Sequence, residues 1–155
     1  MADKIQSTLK KLASVSQSLN QASDQVTSRI AEVEASLREY KLGVEAWVDL
    51  WQWEDTCSDT DGKHLMMLGR TQRLGYGKKD GKWGLLTYID AEESDDRHEF
   101  AFVREAPRDV RLAAIDKLPD LLEEVVRKAV ETSEKATKQA EKAKQIVAGL
   151  NKKGG

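Results

Sequence analysis

Apolar residues recur at alternating steps of four and three residues over the first part of the chain. The two rows consist of Ile5, Leu12, Leu19, Val26, Val33 and Tyr40, and of Leu9, Ser16, Ser23, Ile30, Leu37 and Val44. This spacing is that of a coiled-coil seam, and it predicts a helix over about residues 3–42. Gly43 is the predicted stop, because a glycine after a cationic last turn adopts the left-handed cap conformation.

A second heptad pattern fills the C-terminal part of the chain. Its rows consist of Leu122, Ala129, Ala136, Ala143 and Leu150, and of Val126, Ser133, Ala140 and Val147. Pro119 and Asp120 both suit the first turn of a helix, so a helix is predicted over about residues 119–151. Pro107 is expected to open a separate short helix over about residues 107–117.

The two seams match in side-chain size when the helices run antiparallel. With facing residue numbers that sum to about 155, Ser16 faces Ala140 and Ser23 lies near Ser133. Small residues then meet at mid-length, where they let the two backbones approach closely. The pattern therefore predicts a long antiparallel two-helix coiled-coil hairpin within one chain.

The middle of the chain, about residues 44–104, has the pattern of a β-meander. Residues 44–53 are rich in Val and Trp, which favours a strand, although Trp47 and Trp51 also continue the heptad rows and leave a continued helix as the alternative. Asp80-Gly81 between two apolar runs predicts a hairpin. The hairpin pairs would be Tyr76 with Leu85, Leu74 with Thr87, and Lys78 with Trp83.

Two further features complete the predicted sheet. Residues 98–103 indicate a short fourth strand. Gly75, Gly77 and Gly84 fall on the face opposite the apolar hairpin residues, which indicates a close approach by bulky side chains or by another backbone. The expected fold class is α+β, with one domain over residues 1–155 and the meander at the closed end of the helical hairpin.

Composition agrees with an extended shape and excludes several classes of function. Charged residues make up 34% and apolar residues 39% of the chain, which is typical of long exposed helices. The net charge of −2 gives no general attraction to nucleic acid. Cys57 is the single cysteine, so no internal disulfide is expected. Because the pattern shows neither a secretory leader nor an apolar run long enough for a bilayer, a cytoplasmic, membrane-free protein is expected.

No catalytic, metal or cofactor site is predicted. The acidic loop over residues 55–62 fails as a calcium loop, because Cys57 and Leu68 would occupy positions that need carboxylates. His64 and His98 both follow acidic residues and would suit Zn²⁺ or Mn²⁺ if they met, but they fall on strands that are not neighbours. A metal-dependent enzyme is therefore the minority alternative.

Two sets of side chains are candidates for binding. The aromatic set, of the types that dominate protein interfaces, consists of Trp47, Trp51, Trp53, Tyr76 and Trp83. The basic set consists of Arg70, Arg73, Lys78, Lys79 and Lys82. The basic set would contact phosphates beside stacking rings, although charged hairpin tips more often serve to keep sheet edges soluble.

The interpretation that these patterns favour is a non-catalytic protein–protein interaction or assembly module. The expected partner is a second copy, giving a homodimer, or an unidentified protein. The alternative is a small nucleic-acid-binding or ligand-binding protein that uses the sheet and its basic hairpin over residues 70–83, with nucleic acid disfavoured by the acidic loops.

Overall fold

The protein consists of two long helices and a four-stranded antiparallel sheet, which confirms the α+β class. The computed structural model describes residues 1–58, 62, 65–91 and 99–153. The strands follow one another in the order β1-β2-β3-β4, as expected for a meander. The elements are α1 (Ala2–Glu39), β1 (Ala46–Ser58), β2 (Leu65–Lys79), β3 (Lys82–Ala91), β4 (Ala101–Phe102), a 3₁₀ turn (Val103–Glu105) and α2 (Arg108–Lys153).

The central hairpin forms in the predicted register. Tyr76 pairs with Leu85, and the Asp80-Gly81 turn has positive φ angles of 52° and 79° at its two residues. Two consecutive left-handed residues match the right-handed twist of the flanking strands, which is why Asp-Gly favours this turn.

Residues 46–58 form a strand, so the alternative of a continued helix is wrong. A β-bulge between Asp49 and Trp51 interrupts the pairing of β1 with β2. Trp47 pairs with Gly75 before the bulge, whereas Trp51 pairs with Gln72 after it. Because side chains alternate between the faces of a sheet, the bulge moves Trp51 to the face opposite that of Trp47.

One face of the sheet packs against both helices and forms the main core. The buried apolar residues of this core include Ile30, Leu37, Ala46, Leu74, Leu85, Ala114, Leu118, Leu121 and Val125. On the opposite face the predicted close approach at glycines is confirmed. A Cβ on Gly75 would lie 2.1 Å from Cε3 of Trp47, and one on Gly84 would lie 2.9 Å from Cε1 of Phe102.

The two helices lie side by side and run in the same direction, so the predicted antiparallel hairpin within the chain is wrong. Arg108, at the start of α2, donates hydrogen bonds to Asn20 (2.9 Å) and Ser23 (3.4 Å) of α1. At the other end, Tyr40 lies beside Val126 in one groove. A heptad pattern specifies that a helix has an apolar stripe, but it does not specify the direction of the partner helix. The sheet offers the stripes of α1 and α2 a broader apolar surface than a single helix would.

The separately predicted short helix does not exist, because α2 is one helix from Arg108 to Lys153. Pro119 lies inside α2 and is exposed. Leu118 and Leu121 on either side of it are buried against the sheet. Burial of two leucines stabilises the helix by about 3–6 kcal/mol, which offsets the roughly 3 kcal/mol that an internal proline costs.

Helix α1 ends at Glu39 and not near residue 42. The residue after its cap, Lys41, has a φ of 49°, so a lysine, and not the predicted Gly43, takes the left-handed position directly after the helix. Gly43 also has a positive φ, of 64°, and completes the turn into β1. A left-handed conformation costs a non-glycine residue about 1 kcal/mol, which makes Lys41 an unusual choice here.

Among the residues that the structure describes, neither helix is long and apolar enough to cross a membrane.

Candidate functional site

Both helices extend well beyond the sheet, in opposite directions, and carry exposed apolar rows. We call residues 2–19 the α1 overhang and residues 134–153 the α2 overhang. In the α1 overhang, Ile5, Leu9, Leu12, Val15 and Leu19 are between 43% and 62% exposed. In the α2 overhang, Ile146, Val147 and Leu150 are between 55% and 65% exposed. The predicted seam residues therefore lack partners within the described part of the chain.

The exposed row of α2 continues alongside the sheet. Leu112, Ile115, Leu122 and Val126 are each at least 36% exposed, and they lie on the same heptad rows as the overhang residues. A different stripe of α2, including Leu118 and Leu121, faces the sheet. Alongside the sheet, α2 therefore carries one apolar stripe that is buried and, among the residues that the structure describes, a second that is exposed.

An apolar groove marks the place where the α2 overhang leaves the sheet. It is lined by Tyr40, Leu42, Val126, Ala129, Val130 and Ser133. Since the groove joins the end of α1 to the exposed row of α2, it extends the apolar surface of the overhang onto the packed part of the molecule.

A second feature is a basic cleft at the end of the sheet where β2 turns into β3. Its walls are the turn after α1, the β2–β3 turn and the 3₁₀ turn. The lining residues are Arg38, Lys41, Leu42, Gly43, Tyr76, Gly81, Lys82, Trp83 and Arg104. Four of these side chains are cations, contributed by three separate segments of the chain.

A buried carboxylate lies beneath two of these cations. Glu34 is 0% exposed, and its Oε1 accepts a hydrogen bond from the backbone N–H of Leu85 at 3.3 Å. Its Oε2 lies 3.6 Å from Nη1 of Arg38 and 3.8 Å from Nη1 of Arg104, and it accepts no hydrogen bond. Burial raises the pKa of the Glu34 carboxyl, and the charges of Arg104 and Arg38 oppose that rise.

The rings of Tyr76 and Trp83 form the apolar part of the cleft. They stack with centroids 5.4 Å apart, and Tyr76 is buried in the main core. Arg38 donates a hydrogen bond to the backbone carbonyl of Trp83 at 3.1 Å. Arg104 lies over the ring of Phe102, with its Cζ 5.1 Å from the ring centroid. Both guanidinium groups are thus held in place by contacts other than a direct hydrogen bond to Glu34.

The five aromatic candidates do not form one surface. Tyr76 and Trp83 meet at the cleft, whereas Trp47 lies on the opposite face of the sheet, where it contacts Tyr88 at 4.9 Å between ring centroids. Trp51 and Trp53 lie beyond the bulge and are half-buried.

The basic candidates are also dispersed. Arg70 pairs with Asp55 at 2.8 Å, and Arg73 pairs with Asp49 at 3.0 Å. Lys79 pairs with Asp80 at 3.2 Å, and Lys78 is exposed. Lys82 alone among the five lines the basic cleft. Cross-strand carboxylates neutralise much of the predicted patch, which weakens the case for a nucleic-acid surface on the hairpin.

The predicted histidine site lies outside the described residues, because both His64 and His98 do. The side chain of Cys57 lies outside them as well. Within the described ranges, no group of three or more His, Cys, Asp or Glu side chains is arranged to hold a metal ion.

The heptad description missed four residues of the cleft region: Glu34, Arg38, Lys41 and Arg104. One signal was available, since Glu34 follows the seam residue Ile30 by four and therefore shares its buried face. An acid on an apolar face, followed four residues later by Arg38, indicates a buried ion pair. The position of Arg104 depends on the tertiary fold.

The chain matches no protein-family model, no curated protein and no solved structure with which it was compared.

Proposed function

We propose that this protein is a non-catalytic assembly module that forms a two-fold symmetric homodimer through its helix overhangs. The observation that carries the proposal is the exposure of both heptad seams along the overhangs. Isolated apolar residues on a surface are ordinary, but a continuous apolar row of this length indicates an interaction site.

The geometry of the chain favours a second copy as the occupant. The α1 and α2 overhangs point in opposite directions from a pair of parallel helices. A two-fold axis perpendicular to the helices, through the packed part, therefore places each α1 overhang antiparallel to the α2 overhang of the other copy. The two-fold symmetry forms both overhang pairs together. Because the α1 and α2 overhangs are of nearly equal length, each exposed apolar row is covered over almost its whole length.

Side-chain sizes in this arrangement are complementary. When facing residue numbers sum to about 152, a register that keeps both heptads in phase, each large residue of α1 meets a smaller one of α2. The facing pairs are Ile5 with Val147, Leu9 with Ala143, Leu12 with Ala140, Ser16 with Ala136, and Leu19 with Ser133. This register differs from the sum of about 155 that the sequence pattern predicts within one chain, where small residues face small ones.

Charges at the edges of the seam are compatible with this pairing. The positions that flank the rows are occupied by Gln6, Thr8, Ala13 and Val15 on α1, and by Thr132, Thr137, Gln139, Lys144 and Ile146 on α2. Lys144 is the one charge among them, and it faces Gln6 in the proposed register. No like charges therefore face each other across the seam, where they would destabilise the antiparallel pair.

Light scattering over a concentration series tests the proposal. The wild-type protein is expected to have the mass of two chains, with an interface of more than about 1,000 Å². Ala140→Leu overpacks the seam and is expected to shift the equilibrium toward one chain.

The matched control is Ala148→Leu, which makes the same change in the same overhang but on the solvated side of the helix. It is expected to keep the two-chain mass. A wild-type mass of one chain at every concentration, or equal masses for the two variants, would contradict the proposal.

A further inference from the structure

The basic cleft has more positive charge than its own carboxylate balances. Four cations line it, and Glu34 lies within 4 Å of two of them, Arg38 and Arg104. Among the described residues, Lys41 and Lys82 have no carboxylate within 4 Å, and Arg104 donates no hydrogen bond. Ordinary surface cations need no such partner, but four cations that converge on one concave site repel one another unless an anion joins them.

The backbone at Lys41 supports the same interpretation. Lys41, which lines the cleft, has a left-handed φ of 49°, whereas Gly43, two residues later, takes a similar conformation without strain. Glycine at position 41 would be the more stable choice. Strained residues are frequent at ligand clamps, where the position of a side chain outweighs the local cost.

We propose that this cleft binds a small phosphate-bearing molecule, with Arg38, Arg104, Lys41 and Lys82 contacting the phosphate oxygens. The proposal goes beyond self-assembly and is independent of it, since none of these residues lies on an overhang.

Several observations favour a phosphate over other anions and over a long polyanion. Two guanidinium groups present paired N–H donors that match the oxygens of a phosphate, and two ammonium groups add point charges. Trp83 lines the same cleft and offers a ring on which a planar group could stack. A long nucleic acid would need a basic surface beyond the cleft, and the paired Arg70 and Arg73 do not provide one.

The buried carboxylate has a positioning role in this site. With Oε2 3.6 and 3.8 Å from Arg38 and Arg104, Glu34 attracts both guanidinium groups without taking up their hydrogen-bonding capacity. Both arginines are thereby drawn to one carboxylate, while the N–H groups of Arg104, and those that Arg38 does not donate to Trp83, remain available to a ligand.

Isothermal titration calorimetry with pyrophosphate and with ATP tests the proposal on the full chain. Wild-type protein is expected to bind both probes. The double variant Lys41→Gln/Lys82→Gln, which changes two exposed turn residues, is expected to bind each at least tenfold more weakly with an unchanged circular dichroism spectrum.

The matched control, Lys135→Gln/Lys138→Gln, removes the same net charge from exposed positions of the α2 overhang, away from the cleft, and is expected to stay within twofold of wild type. Absence of binding by wild type, or an equal loss in both double variants, would overturn the proposal. A ten-nucleotide RNA that binds more tightly than ATP and is weakened equally by both double variants would also overturn it, in favour of a general polyanion surface. Light scattering of the same samples reports self-association separately.

Discussion

The part of each helix that lies on the sheet differs sharply from the part that extends past it, although both carry a heptad pattern. Ile30 of α1 and Leu121 of α2 are completely buried, whereas Leu12 and Leu150, on the overhangs, are more than half exposed. The difference is the presence of the sheet.

The comparison shows what a heptad pattern specifies and what it leaves open. It specifies that a helix has an apolar stripe, but the partner is whichever apolar surface is within reach. For the packed parts of the helices that surface is the sheet. For the overhangs the chain offers no such surface among its described residues, and the partner that we propose is a second copy.

The largest expected effect is a difference in the free energy of unfolding between changes in the packed part of a helix and changes in an overhang. Leu121→Ala is expected to lower the free energy of unfolding by about 2–5 kcal/mol, because it empties a fully buried site. Leu12→Ala is expected to lower it by less than about 0.5 kcal/mol under conditions where the protein is a single chain. Urea denaturation at low protein concentration measures both, and similar losses would mean that the α1 overhang is packed within the chain.

A second contrast uses glycines. Gly75→Ala is expected to destabilise the protein by about 1–3 kcal/mol, because its Cβ would overlap the ring of Trp47. Gly149→Ala is the matched change on the α2 overhang, where no atom lies within 4 Å of the added Cβ, and it is expected to stabilise by up to about 1 kcal/mol. Thermal melts that move in the same direction for both variants would contradict this account of the sheet.

The turn after α1 connects stability with the cleft. Lys41→Gly is expected to raise the free energy of unfolding by about 0.5–1 kcal/mol, since glycine accepts the left-handed conformation freely. The same variant is expected to bind pyrophosphate more weakly, because it removes one of the four cations. If stability rises but affinity is unchanged, Lys41 does not contact the ligand.

The smallest effect concerns pH. The pKa of Glu34 is raised in the folded protein by burial. Between the unfolded and the folded pKa the native state binds more protons, so stability falls as pH rises through that interval and is greater on its acidic side. Glu34→Gln is expected to flatten this slope, whereas Glu141→Gln, on an exposed part of the α2 overhang, is expected to retain it. Unfolding curves of both variants at intervals between pH 4 and pH 7 give the dependence of the free energy of unfolding on pH. A dependence in Glu34→Gln equal to that of wild type would refute its assignment to Glu34.

Local sequence signals predicted the sheet well and the helical arrangement poorly. The Asp80-Gly81 turn fixed the hairpin register, because a two-residue turn permits one pairing, and the glycines marked where Trp47 and Phe102 lie close to the backbone. The direction of the helices depends on how the meander returns the chain to α2, which no local pattern encodes. The local preference of Pro119 predicts a helix start, but burial of Leu118 and Leu121 in the core keeps the proline inside α2.

The cleft could be predicted only in part for the same reason. Tyr76, Lys82 and Trp83 belong to one hairpin, and their proximity follows from its register. Arg104 and Lys41 come from distant segments, and only the packing of α1 across the edge of β3 brings them to that hairpin.

The central claim is that the α1 overhang of one copy pairs with the α2 overhang of another, and disulfide trapping tests it most directly. Both test chains carry Cys57→Ser, and one carries Leu12→Cys while the other carries Ala140→Cys. The two positions face each other in the proposed seam, as a disulfide requires, whereas within one chain the two overhangs point apart. The account predicts a covalent dimer of unlike chains after mixing and mild oxidation, and little cross-linking of either chain alone. Dimers formed mainly between like chains, or none at all at concentrations that give a two-chain mass, would contradict it.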